Sequence, residues 1–73
     1  MKKVLASNVH VSELYVGRVV EDKPLFSEYT DIGHIVGFGY SSYNELLVLV
    51  KYSKRSEPSL VHPANINIFV NDT

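Results

Sequence analysis

The sequence predicts an all-β chain folded as a single domain, and three observations carry that prediction. Apolar residues recur at every second position, the runs they form are rich in Val, Ile, Tyr and Phe, and most polar segments between the runs are too short for a helix. Capped patterns with a 3.6-residue period are missing. Only "NVHVSEL", residues 8 to 14, is compatible with a turn of helix, and Val9 and Val11 fit a strand as well.

Five runs are read as strands: "LYVGRVVE" at 14–21, "HIVGFGY" at 34–40, "LLVLVKY" at 46–52, "SLVH" at 59–62 and "INIFV" at 66–70. Their centres nominate Ile35, Val48, Val50, Val61 and Ile68 for the core; a slip of one residue would turn Leu47 and Leu49 inward instead. The connections are unequal. "DKPLFSEYTDIG" is a long excursion, with Leu25 and Phe26 available to tuck beneath it, whereas "SSYNE" and "SKRSEP" have the length and polarity of hairpin loops. The last connection, inside "SLVHPANINIF", is abrupt. Pro63 cannot donate to a ladder, so one strand ends there, and its fixed φ suits one turn of 3₁₀ helix at Pro63 to Asn65 before the final strand.

Composition narrows the class. The chain has 73 residues and no cysteine, so one thin core is expected without disulfide or thiolate support, in a cytoplasmic setting. The start, "MKKVLASNVHVSEL", is basic, but Ser7, Asn8, His10 and Ser12 interrupt its apolar residues; it reads as neither a signal peptide nor a membrane span. Seven basic and eight acidic side chains leave a net charge of −1 with no large field of one sign.

Five strands joined by a long first loop, two short hairpins and a single 3₁₀ turn resemble an SH3-like barrel. Within that group "VGRVV" followed by "DIGHIVGF" is similar to the KOW and Tudor branch, with a glycine ahead of the first strand and a Gly-x-x-Val start to the second, here Gly33 and Val36. The resemblance covers residues 14 to 70 and implies a five-stranded barrel preceded by an N-terminal extension, residues 1–13. Glu28 and Asp31 stand in the loop where nucleic-acid-binding KOW elements carry lysines, and the acidic and Trp-containing motifs of peptide-binding SH3 domains are missing.

Candidate sites follow from these residues. Gly33, Gly37 and Gly39 imitate a dinucleotide fingerprint, but a strand-like run follows where a helix N-terminus is needed, so a bulge or a sharp bend is the better account. His10, His34 and His62 are far apart in sequence, and no metal or cofactor is expected; His62 is read as capping nearby backbone. No nucleophile elbow or paired carboxylate marks a reaction centre, so no catalytic residue is nominated. Tyr29 in the long loop, with Tyr40 and Tyr43 around the next, is the most suggestive set. In Tudor-type barrels aromatics of these two loops line one rim, and Glu28, Asp31 and Glu45 would favour a cationic group there. The expected function is a non-enzymatic binding module with a protein partner, by analogy with the small accessory barrels of phages that modulate host proteins. Weak nucleic-acid binding through Lys51, Lys54 and Arg55 is the alternative, and a structural subunit of a homo-oligomer is a third.

Overall fold

The computed structural model describes residues 2–22 and 31–71. They form one antiparallel sheet of six strands: β1 (Lys2–Leu5), β2 (Val19–Asp22), β3 (Ile32–Tyr40), β4 (Leu46–Tyr52), β5 (Ser59–Val61) and β6 (Ile66–Val70). Single 3₁₀ turns interrupt them: η1 (Ala6–Asn8), η2 (Val11–Glu13) and η3 (Pro63–Asn65). Strands β2 to β5 run as a meander, η3 then reverses the chain, and β6 inserts between β1 and β2, giving the order β1-β6-β2-β3-β4-β5. The expected all-β class and the 3₁₀ turn at Pro63 are both present. Among the described residues, however, there are six strands and not five, and β1 and β5 end the sheet without pairing, so it is not closed into a barrel.

The additional strand comes from the N-terminal residues, where the sequence predicts only an extension. Lys2 to Leu5 pair with Val70 to Asn67, and Ala6 and Leu14 enter the core. An edge strand with lysines facing water has no period-two signature, which is why "KKVL" does not announce itself. The opposite correction applies to residues 14–18: the sequence predicts strand there, and β2 begins only at Val19. Arg18 N–H donates to Tyr15 O at 3.0 Å, closing a turn, and Gly17 takes φ +95° there, a backbone that only glycine adopts without strain. Gly17 N–H then donates to Ile35 O, and Ile35 N–H to Arg18 O, so two residues face one as in a glycine bulge.

The core is Ala6, Leu14, Val20, Ile35, Val48, Val50, Tyr52, Ile66 and Ile68. Ile35, Val48, Val50 and Ile68 are where periodicity puts them, and Leu47 and Leu49 face outward; Val61, on an edge strand, is only half-buried. The ladder between β3 and β4 shifts register between Ile35 and Gly37, so the expected bulge is there. Its consequence is positional. Cross-strand partners share a face, so the shift returns Phe38 to the face of Val48 and Tyr40 to that of Leu46, the core side of the sheet.

Candidate functional site

Phe38 and Tyr40 lie on the core side but near the end of the sheet, where cover runs out: Phe38 is 44% and Tyr40 70% exposed. The hairpin that follows, residues 41–45, projects Tyr43, the most exposed large apolar side chain described, at 84%. Its backbone is held tightly. Ser41 Oγ accepts from Tyr43 N–H and Glu45 N–H, both at 3.1 Å, Ser41 N–H donates to Glu45 O, Asn44 N–H donates to Ser41 O, and Asn44 occupies the left-handed region at φ +62°. Asparagine tolerates that conformation better than most residues because its amide can satisfy local backbone groups.

Glu45 is oriented from across the fold. His62 Nδ1 accepts the Ala64 N–H at 3.0 Å, capping η3, so the ring proton belongs on Nε2, which donates to Glu45 Oε2 at 2.8 Å. The capping role expected of His62 from the sequence is therefore present, and the same ring holds the Glu45 carboxylate in place. His10 repeats the device at η2, where Nδ1 accepts from Ser12 N–H at 3.1 Å. Below the hairpin, Leu46, His62 and Pro63 join Ala6, Val9 and Leu14 around a mostly apolar cleft of about 340 Å³.

The other nominated residues are not gathered here. Glu28 and Tyr29 lie outside the described residues. Asp31 precedes β3 and Tyr40 ends it, so the two are about 30 Å apart along an extended strand. Asp31 turns instead to Arg55, Oδ2 to Nη2 at 3.4 Å, and Arg55 also reaches Asp22 at 3.7 Å while lying 4.5 Å over the Tyr52 ring. Lys51 Nζ donates to the carbonyls of Tyr52, at 2.8 Å, and Arg55. The cations nominated for phosphate contact thus sit in a local network of carboxylates and carbonyls; Lys54 is exposed on the same turn. Burial, with the charge of Asp22 adding to it, pushes the Tyr52 hydroxyl up to about 12.

Sequence reasoning missed Phe38, because strict alternation from Ile35 would put it on the outer face, and the bulge overrides that alternation. Among the described residues no three His, Asp or Glu side chains gather as a metal site, and no helix is long and apolar enough to cross a membrane. No protein-family model, no curated protein and no solved structure matches this chain.

Proposed function

We propose that this chain is a non-enzymatic binding module of the SH3-like, KOW and Tudor type, working in the cytoplasm, and that it takes a protein partner on the rim formed by Phe38, Tyr40, Tyr43 and Glu45. The single observation that carries the reading is two tyrosines, 70% and 84% exposed, on a hairpin whose backbone is already ordered. Large exposed aromatics on a rigid support lose little entropy when covered, and such side chains supply much of the energy of many interfaces. Glu45 adds one oriented negative charge and so favours a partner segment carrying Lys or Arg.

The order β6-β2-β3-β4-β5, with a 3₁₀ turn between the last two strands in sequence, supports the SH3-like reading, with β1 as an addition to one edge. An accessory role of the phage type is an extension of the same reading by analogy. A photo-crosslinking residue placed at position 43, and in a second preparation at position 54, tests the surface in a lysate of the source organism. One discrete protein adduct from position 43, lost when Tyr40 is changed to Ala, is the expected result. Adducts from position 54 alone, or nucleic acid in place of protein, would replace the rim with the Lys51, Lys54 and Arg55 surface.

A further inference from the structure

A second recess lies elsewhere, where β2 and β6 part. Their pairing runs from Asp22↔Ile66 to Val20↔Ile68 and stops; beyond it β6 continues along β1, while the chain ahead of Val19 turns away at Gly17. The wedge between them is a groove of about 810 Å³ whose lining includes Glu13, Tyr15, Arg18, Val19, Phe69 and Val70. Among the described residues that line it, the charged side chains are Arg18 and Glu13.

Arg18 is fixed before any ligand arrives. Its side chain is only 12% exposed, Nη2 donates to Phe69 O at 2.7 Å, and the guanidinium lies 5.2 Å from the centre of the Tyr15 ring. Nη1 donates to Glu13 Oε2 at 3.0 Å and stands 3.4 Å from Tyr15 Oη. Glu13 is the replaceable member of this set. Its carboxylate is 51% exposed and hangs from the last residue of a single 3₁₀ turn, so leaving Arg18 returns it to water at little cost.

We propose that this groove binds an organic monocarboxylate bearing an apolar group, whose carboxylate takes the place of the Glu13 carboxylate on Arg18. The exchange leaves the charge inside the groove unchanged, one cation facing one anion, so no buried charge is left uncompensated. A guanidinium presents a planar fork suited to a carboxylate, and here the fork is already oriented. Among the described lining residues Arg18 is the one cation, which argues against a doubly charged phosphate, since that would leave negative charge in excess. Tyr15, Phe69, Val19 and Val70 supply the wall for the apolar group, and both Tyr15 and Val19 are half exposed without a ligand.

The test is an NMR titration of the whole chain, reading the amide signals of Tyr15, Arg18, Phe69 and Val70. The probes are 3-phenylpropionate, 3-phenylpropionamide and phenyl phosphate, with N-acetyl-Leu-Phe as free acid and as amide to separate a small acid from a chain terminus. Each acid is expected to bind at least roughly tenfold tighter than its amide, and 3-phenylpropionate tighter than phenyl phosphate. Glu13→Gln is expected to strengthen acid binding by about three- to tenfold, because a neutral amide competes less well for Arg18. The peptide acid binding tighter than 3-phenylpropionate would make a chain terminus the source, and the reverse a small acid; both orders uphold the carboxylate. Arg18→Gln should abolish binding, and since Arg18 also ties β2 to β6, the acid-against-amide comparison in the unaltered protein stands whether or not that variant folds. Acids and amides binding alike, phosphate binding best, or Glu13→Gln failing to improve on the parent would overturn the proposal and leave the Arg18–Glu13 pair as a structural latch.

Discussion

Phe38 faces Val48 across the β3–β4 ladder, yet Val48 is fully buried and Phe38 nearly half exposed. Two apolar partners on one face of one sheet thus have different environments, because Val48 lies beneath the core layer and Phe38 lies past its edge. Val48→Ala should cost about 1 to 3 kcal/mol, through lost burial and the cavity left behind. Phe38→Ala should cost about 1 kcal/mol or less, since much of the ring is already in water. Urea unfolding of the two variants checks the contrast, and equal losses would mean that Phe38 belongs to the core.

Two glycines separate packing from backbone strain. A Cβ on Gly33 would stand 2.7 Å from Lys51 O and 2.9 Å from Val50 Cγ1, so backbone would have to move. On Gly17 a Cβ would meet nothing within 4 Å, but φ is +95°. Gly33→Ala is expected to destabilise by about 2 to 4 kcal/mol, and Gly17→Ala by about 1 to 2 kcal/mol. Thermal melts that rank them in the reverse order would contradict the close approach of β3 to β4 at Gly33.

The parts of this fold that were legible in the sequence are those governed by local pattern. Val48, Val50 and Ile35 lie on central strands with a two-residue period, and Pro63 forbids a continuous strand, so each is readable without knowing its neighbours in space. What escaped depends on distant partners or a single backbone angle. "KKVL" becomes a strand only because β6 offers it an edge, and residues 14–18 leave the strand path because Gly17 turns. The site divides likewise. Tyr40, Tyr43 and Glu45 are local to one hairpin and stay together, whereas Asp31 goes with Arg55 at the far end of β3. Glu13 and Tyr15 stand close to Arg18 in sequence, but no motif marks the set, and the Phe69 carbonyl that anchors the guanidinium is 51 residues away.

Tyr52 makes the stability of the fold sensitive to alkali. Burial, with the charge of Asp22 adding to it, pushes its hydroxyl up to about 12 in the fold, against 10.0 for the ordinary side chain. The folded state therefore holds the proton more tightly, and the contribution is complete below pH 10.0 and lost as pH rises through about 12. At about 1.4 kcal/mol per pH unit the loss would be at most about 2 to 3 kcal/mol, and because solvent reaches Asp22 and Arg55 beside the hydroxyl and screens them, about 1 to 2 kcal/mol is expected. Urea midpoints measured at intervals across that window should fall steeply for the parent and less steeply for Tyr52→Phe. Parallel curves would show that Tyr52 is not the group responsible.

The ordered hairpin should matter to partner binding separately from the tyrosines it carries. Ser41 Oγ accepts two backbone N–H groups, those of Tyr43 and Glu45. In Ser41→Ala both turn to water, which at an exposed site should cost about 0.5 to 1 kcal/mol of stability. The larger consequence is disorder at residues 42–44: the partner must then order the loop as it binds, and affinity should fall about three- to tenfold with every aromatic contact still available. Asn44→Gly is the control, because glycine accepts φ +62° without strain and leaves the Ser41 bonds in place. Amide relaxation should report faster motion at Tyr43 in Ser41→Ala than in the parent. If affinity for the partner recovered at position 43 is unchanged in Ser41→Ala while Tyr43→Ala reduces it, the ring matters but the rigidity does not. If neither variant alters affinity, and Lys54→Glu with Arg55→Glu does, the partner occupies the opposite end of β3.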